Sequence, residues 1–315
     1  MNNNNITKLI AAMTLCVACA PAVGAQDYTP DFLKNRVQKT PVKRFAVKLH
    51  DAIGIGNAVS MSSDMMNLQG KSSSNYLGID LGYTFWHNRA NQFEINLGVG
   101  YRTINSTPEI TNLEYSYNAP ATADLDEETY KRFYEISDLK QKVTASYFSL
   151  PIYFEYRNDL KNWLRIYVDL GAEIDFNINS KFSSVTGNAS AYGVYPQYGD
   201  LKIEEPWLNG FGEVDFDKAT TGMSSVSPAV ISLLAGVGLE AKIYDPVWIN
   251  VGLRYNLGFS NIFRSKYTGE SSFNSENAPL TYTIRDGEYV QPLTYYAKKS
   301  SLSLFSINVG ISFRF

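Results

Sequence analysis

The chain has 315 residues, a formal net charge of −3, 19% charged residues and 14% aromatic residues. Nucleic-acid binding requires a basic stripe, so a charge this close to neutral excludes a nucleic-acid partner. The two cysteines, Cys16 and Cys19, both lie near the start of the chain. A mature chain that begins after them would contain neither a disulfide nor a catalytic thiol.

Residues 1–25 have the pattern of a secretory signal peptide. Lys8 gives a small positive region, and the apolar run from Leu9 to Ala20 is too short to span a bilayer. Small residues before Gln26 indicate cleavage after Ala25. The alternative is a lipoprotein acylated on Cys19. We expect residues 26–42 to form a short periplasmic lead-in.

The segment from Arg165 to Asn179 alternates strictly between apolar and polar residues. Its even positions, from Ile166 to Ile178, are apolar, and the odd positions are polar, charged or aromatic, apart from Gly171. Successive side chains of a strand point to opposite faces, so this pattern predicts a strand with one apolar face. The same alternation recurs in segments near 43–58, 76–87, 93–101, 143–158, 228–244, 247–259 and 305–315.

These segments are longer than the strands of soluble sandwiches and match the 9–11 residues that cross a membrane. Short connections occur at His87–Asn91, Asn158–Asn162 and Tyr244–Pro246, and long ones near 59–75, 106–142, 180–226 and 263–299. Alternation of short turns with long loops is typical of outer-membrane barrels. We predict an all-β fold over residues 43–315: a closed antiparallel up-and-down transmembrane β-barrel of about eight strands, with long extracellular loops and short periplasmic turns.

Four residues lead to local expectations within this pattern. Asp51 falls on the apolar side of the first strand, which predicts a bulge or an early strand end there. Trp86, Trp163 and Trp248 lie beside the short turns, and alternation assigns them to the inner side. They either anchor the barrel at the periplasmic boundary or close its periplasmic mouth.

Three stretches resemble the outer membrane protein beta-barrel domain family, whose members are also described as porin-family or PorT-like small barrels. They are Tyr147–Arg157, Tyr167–Ile174, and the pair Gly236–Glu240 with Arg254–Ile262. The final aromatic residue is similar to the signal read by the outer-membrane assembly machinery. The resemblance implies an integral outer-membrane protein with lipids and that machinery as partners, and it implies little about activity.

The inward faces of the predicted strands carry equal numbers of cations and carboxylates. Isolated charges in a narrow lumen are costly, so we expect a paired charge network. The structural interpretation is a salt-bridged plug, and the alternative is a narrow porin-like channel with these charges as its filter. The predicted lumen residues are Lys48, Asp80, Glu94, Arg102, Glu155, Arg157, Arg165, Asp169, Glu173, Asp175, Glu240, Lys242, Arg254 and Arg314.

No motif indicates catalysis, a cofactor or a metal site. His50 and His87 are too few and too separated for a metal centre, and His50 has no nucleophile at motif spacing, so a membrane-embedded enzyme is the weaker alternative. We therefore expect a structural or surface-interaction role, with a protein partner bound through the long loops. The aromatics of the 180–226 loop could anchor such a partner or extend the barrel wall: Tyr192, Tyr195, Tyr198, Trp207 and Phe211.

Overall fold

The computed structural model describes residues 43–55, 59–88, 90–205, 208–214, 226–267 and 269–315. The predicted signal peptide, the lead-in, Cys19 and Trp207 lie outside the described residues. The strands, in chain order, are β1 (Phe45–Ile55), β2 (Val59–Ser62), β3 (Leu68–Asn88), β4 (Asn91–Ala119), β5 (Tyr130–Lys161), β6 (Leu164–Tyr195), β7 (Leu201–Ile203), β8 (Gly212–Glu213), β9 (Ala229–Tyr244), β10 (Val247–Asn261), β11 (Leu280–Thr283), β12 (Gly287–Val290) and β13 (Lys299–Arg314).

Eight of these strands form a closed antiparallel ring, in the order β1, β3, β4, β5, β6, β9, β10 and β13. The ring closes because β1 also pairs with β13, from Ala46 opposite Arg314 to Ile55 opposite Phe305. Phe45 and Phe315 continue this seam with two backbone hydrogen bonds of 3.2 and 2.8 Å. A closed ring leaves no unpaired edge, which is the condition for a sheet within a bilayer. The predicted eight-stranded barrel is confirmed.

The side chains of the ring are arranged inside out relative to a soluble protein. On β3, Asp80 is buried while the neighbouring Leu81 is 62% exposed, and the same alternation holds for Glu94 and Ile95 on β4. Leaving a large aliphatic side chain in water forfeits about 1.5–3 kcal/mol of burial energy. A surface with dozens of such residues is stable only in an apolar surrounding, and this barrel therefore presents a lipid-facing exterior.

The long connections are shorter than the sequence suggested, because three strands continue far beyond the membrane. Residues 106–119 belong to β4, 130–142 to β5 and 180–195 to β6, and β5 and β6 are each 32 residues long. At about 3.3 Å per residue, such a strand is roughly 100 Å long. The membrane needs only about 9–11 residues of it. The remainder forms an extracellular wall, which we call the tower.

Two local expectations were wrong. β1 runs through Asp51 without interruption, and Asp51 pairs regularly with Leu77 and Val309 on its two neighbours while facing outward. Trp86 and Trp163 are exposed, and only Trp248 of the three is buried. A register shift between Thr84 and Trp86 reverses the side to which Trp86 points, since a bulge inserts one extra residue.

Trp163 is exposed, and not inward as alternation predicts, for a different reason. It lies between the end of β5 at Lys161 and the start of β6 at Leu164, so it belongs to the turn and to neither strand. Side-chain alternation holds only within a continuous ladder. The exposed positions of Trp163 and Trp86 suit the interfacial belt in which aromatic rings contact lipid headgroups.

The lumen has space for bulky side chains where strands carry glycine. The ring of Tyr76 lies against Gly78 and Gly100, and a Cβ added at Gly100 would come within 2.5 Å of that ring. We expect Gly100→Ala to lower the free energy of unfolding by about 1–3 kcal/mol, because the ring cannot be accommodated without displacement. Denaturant unfolding of the refolded barrel in micelles measures this. In a Tyr76→Ala background the same substitution should be nearly neutral, and an equal cost there would show that Tyr76 is not the cause.

Candidate functional site: the barrel lumen and the tower

Buried ion pairs cross the lumen near the short turns. Glu94 accepts contacts from Lys48 Nζ at 2.7 Å, Arg157 Nη2 at 2.5 Å and Arg314 Nη1 at 2.9 Å. Glu155 lies 2.6 Å from Lys48 Nζ. Three cations and three carboxylates from β1, β4, β5, β9 and β13 thus meet in one layer. We call it the short-turn cluster: Lys48, Glu94, Glu155, Arg157, Glu240 and Arg314.

A second cluster lies farther along the lumen and holds more carboxylates than cations. Arg102 Nη2 is 2.7 Å from Glu173 Oε1, and Arg254 Nη2 is 3.3 Å from Asp169 Oδ2. This mid-lumen cluster contains two arginines and four carboxylates, all buried: Asp80, Arg102, Asp169, Glu173, Asp175 and Arg254.

Neutral hydrogen-bond donors partly compensate for the shortage of cations around the mid-lumen carboxylates. The hydroxyl of Tyr153 donates to Asp80 Oδ2 at 2.5 Å, and Asn256 Nδ2 donates to Glu173 Oε2 at 2.6 Å. Ser149 donates to Asp175. A buried carboxylate that accepts such hydrogen bonds is less costly than an isolated one. The cluster therefore lines this part of the lumen with hydrogen-bonded and ion-paired side chains.

Arg165 and Lys242 do not join either cluster. Arg165 pairs with Asp159 and places its guanidinium 3.8 Å above the ring of Trp248. The side chain of Lys242 is 34% exposed and lies 3.8 Å from Asp245 in the turn that follows β9. Both residues stand where their strands meet a short turn, and there Arg165 is largely covered while Lys242 is partly exposed. Both cations lie over the buried ring of Trp248, so they stand on the inner side of the barrel at its periplasmic mouth.

His50 lies in the lumen between the two clusters. Its Nδ1 is 3.5 Å from Asp80 Oδ2, and its ring stacks on Tyr76 at 5.5 Å. Nε2 has no hydrogen-bond partner among the described residues. A small polar cavity lined by His50, Asp169 and Arg254 has room for about one water molecule. The described residues contain no group of three or more His, Cys, Asp or Glu side chains able to hold a metal ion.

An apolar layer follows the mid-lumen cluster along the lumen. It arises because the inward positions of the strands change from charged to apolar, as at Arg102 and then Ile104 on β4. Every member is at most 4% exposed. We call this the seal layer, and it consists of Val59, Ile104, Val143, Ala145, Tyr147, Phe182, Val230, Ile262, Phe263, Leu302 and Leu304.

The connection between β10 and β13 folds into the tower and fills it. Leu280, Leu293 and Tyr296 from this connection are buried in the tower core. Its backbone is bonded by side chains of the wall: the hydroxyl of Tyr115 donates to Leu280 O at 2.8 Å, and Gln141 donates to the carbonyl of Gln291 at 2.7 Å. The described part of this connection thus fills the interior of the tower, and we call residues 262–298 the tower plug.

Arg132 holds the wall, the plug and the 208–214 segment together. It is fully buried on β5 and donates to the carbonyls of Asn209 and Gly210 at 2.7 and 2.9 Å. Its Nη2 also contacts Glu288 at 2.9 Å, and its guanidinium lies 4.5 Å from the ring centroid of Tyr282. Burial and the adjacent Glu288 raise the pKa of Tyr282, so this phenol stays neutral beside the guanidinium.

The tower was largely missed by sequence reasoning, although one signal was present. Tyr130, Arg132, Tyr134 and Ile136 alternate with outward residues in the same way as the membrane strands do. The aromatics of the 180–226 region extend the wall where they are described: Tyr192 stacks on Phe133, and others pack in the core or at the tip. Asp124, in the acidic run that follows β4, accepts hydrogen bonds from Tyr195 and Asn209.

Most of the barrel sequence matches a known protein family. A model of the outer membrane protein beta-barrel domain matches residues 35–264. The chain belongs to the outer membrane protein beta-barrel domain family. This outer-membrane barrel has no match among curated proteins. None of its described helices is long and apolar enough to cross a bilayer.

Several solved outer-membrane barrels are similar to it at low identity. The attachment invasion locus protein Ail of Yersinia pestis is 10% identical, with 86% of this chain and 100% of that chain covered and a TM-score of 0.30. OprG of Pseudomonas aeruginosa is 10% identical, with 86% and 96% covered and a TM-score of 0.37. The translocator domain of NalP from Neisseria meningitidis is 11% identical, with 88% and 90% covered and a TM-score of 0.26.

Proposed function

We propose that this protein is a non-enzymatic, non-conducting barrel of the outer membrane that presents its tower as an interaction surface for a protein partner. The observation that supports the proposal is the filled lumen. Ion-paired side chains occupy the part within the membrane, and the seal layer and the tower plug follow it toward the outside.

The seal layer is the main physical obstacle to conduction. An ion that crosses it must lose its hydration shell among side chains such as Ile104, Val143 and Phe182, which offer no polar atom in return. Apolar constrictions are known to close pores by excluding water. The alternative, a narrow porin-like channel along the lumen charges, would require this layer and the tower plug to move aside.

The tip of the tower carries the features of a contact surface. Tyr198 and Leu201 follow β6, and Ile284 belongs to the β11–β12 hairpin; all three are exposed. Tyr198 donates a hydrogen bond to Glu128, which restricts the orientation of its ring before any partner arrives. Fixed aromatic and aliphatic side chains are the usual anchors of protein interfaces, since little conformational entropy is lost on binding.

Conductance of the refolded protein in a planar bilayer tests the closed lumen. We expect no unitary currents from the unmodified barrel. Asn261 pairs with Ser301 across β10 and β13, so a short Gly-Ser turn can replace residues 262–298 without breaking the ring. That variant loses the tower plug together with Ile262 and Phe263 of the seal layer, and we expect it to conduct. Steady currents from the unmodified barrel that change on Arg102→Gln would favour the channel instead.

A further inference from the structure

Three lysines form a band on the outer face of the wall, where the tower rises from the membrane. Lys71 on β3 is paired with Thr107 on β4, and the flanking pairs of β4 and β5 place Thr107 opposite Lys142. Lys181 on β6 is paired with Thr144, which lies two residues from Lys142. Four neighbouring strands span about 15 Å, so the three side chains share one patch. We call this patch the lysine band.

The lysine band is exposed and forms no ion pair in the described part of the chain. All three side chains point outward, and no described carboxylate lies within 4.0 Å of their Nζ atoms. Lys140, only two residues from Lys142, is different: it contacts Glu109 at 3.2 Å and Asp138 at 3.1 Å. Three cations without an ion-pair partner, at this spacing, form a positive patch that favours an anionic ligand.

A polar belt lies between the lysine band and the lipid-facing surface. The exposed apolar residues of these strands end at Leu77, Tyr101, Phe148 and Ile178. Outward residues above them carry hydroxyl or amide groups and no charge: Ser73, Asn75, Thr103, Asn105, Thr144 and Ser146. The surface therefore changes from apolar to hydrogen-bonding to cationic with increasing distance from the membrane.

We propose that this face binds the phosphorylated sugar headgroup of a glycolipid in the outer leaflet. The acyl chains of such a lipid contact the apolar surface, its sugar hydroxyls bond the polar belt, and its phosphates pair with the lysine band. A soluble polyanion would have no use for the apolar and hydroxyl-bearing zones below the lysines. Lysines beside an anionic membrane surface contribute to binding individually, and each is expected to raise the affinity about fivefold.

The test uses the full-length barrel and vesicles that contain bis-phosphorylated lipid A in phosphatidylcholine. We expect Lys71→Gln/Lys142→Gln/Lys181→Gln to weaken association with the glycolipid about 100-fold, from the contribution of each lysine. The matched control is Lys140→Gln, on the same strand as Lys142. It should change the association with the glycolipid less than about twofold, because Lys140 is already paired with Glu109. Replacing the same three lysines by arginine should retain binding, since the charge remains.

Two further measurements distinguish the phosphorylated lipid headgroup from other anions. Lipid A without its phosphates should bind as weakly to the unmodified barrel as the phosphorylated form binds to the triple glutamine variant. Millimolar inorganic phosphate should not compete. Heat-dependent gel migration verifies that each variant is folded. Unchanged binding by the triple variant, an equal loss in Lys140→Gln, full binding of dephosphorylated lipid, or competition by inorganic phosphate would each overturn the proposal.

Discussion

Replacing Glu94 by Gln is expected to lower the free energy of unfolding by about 3–5 kcal/mol, the cost of breaking a buried ion pair. Glu94 is fully buried and lies within 3 Å of Lys48, Arg157 and Arg314. The amide keeps the size of the side chain but removes its charge. The three cations then share only two carboxylates of the short-turn cluster, in a place that water reaches poorly.

The matched control for this prediction is Glu109→Gln on the same strand. Glu109 contacts Lys140 at 3.2 Å on the outer face, where both side chains are about one-third exposed or more. An exposed ion pair contributes about 0–1 kcal/mol, so the control should stay within that range. Guanidinium unfolding in micelles, followed by Trp fluorescence and gel migration, gives both values. Equal losses in the two variants would mean that the buried cluster contributes no more than a surface pair.

Much of the fold follows from the sequence because a barrel strand has a period of two. Once Phe93 to Tyr101 is recognised as a strand, Glu94 and Asn96 must share one face and Ile95 and Leu97 the other. An exterior in lipid makes this rule unusually strict, since a charged residue on the wrong face is costly. The strand number and the ring closure follow from counting such segments.

The pairing partners inside the lumen do not follow from alternation. Arg314 on β13 reaches Glu94 on β4, across the width of the barrel, and this contact depends on strand tilt and side-chain length. Contacts at the strand ends are not predicted by alternation either. Arg165 lies near a turn and pairs with Asp159, and the bulge before Trp86 turns the Trp86 side chain to the outer face. In the tower, β5 keeps its period of two but its apolar residues now face inward, which conceals the strand from a search for lipid-facing residues.

Replacing Arg132 by Met should detach the tower plug while the membrane part of the barrel stays folded. Arg132 donates to two carbonyls of the 208–214 segment, pairs with Glu288 and lies within 5.0 Å of the ring centroids of three aromatic residues. Met occupies a similar volume but has no hydrogen-bond donor. Two carbonyls of the 208–214 segment would then lose this donor and Glu288 its contact with the guanidinium, at an expected cost of about 3–5 kcal/mol for the tower.

Lys131→Met is the matched control, because Lys131 precedes Arg132 on β5 and points to the outer face. Its ammonium lies 5.0 Å from the ring of Phe133, an exposed contact whose loss should cost about 0.5–1 kcal/mol. Hydrogen exchange and limited proteolysis of residues 262–298 report the state of the tower plug, and gel migration reports the barrel. We expect protection of the plug to fall by two or more orders of magnitude in Arg132→Met and to change less than about tenfold in the control. Equal protection in both variants would show that the plug is held by its apolar contacts alone, with Leu280, Leu293 and Tyr296 sufficient to retain it.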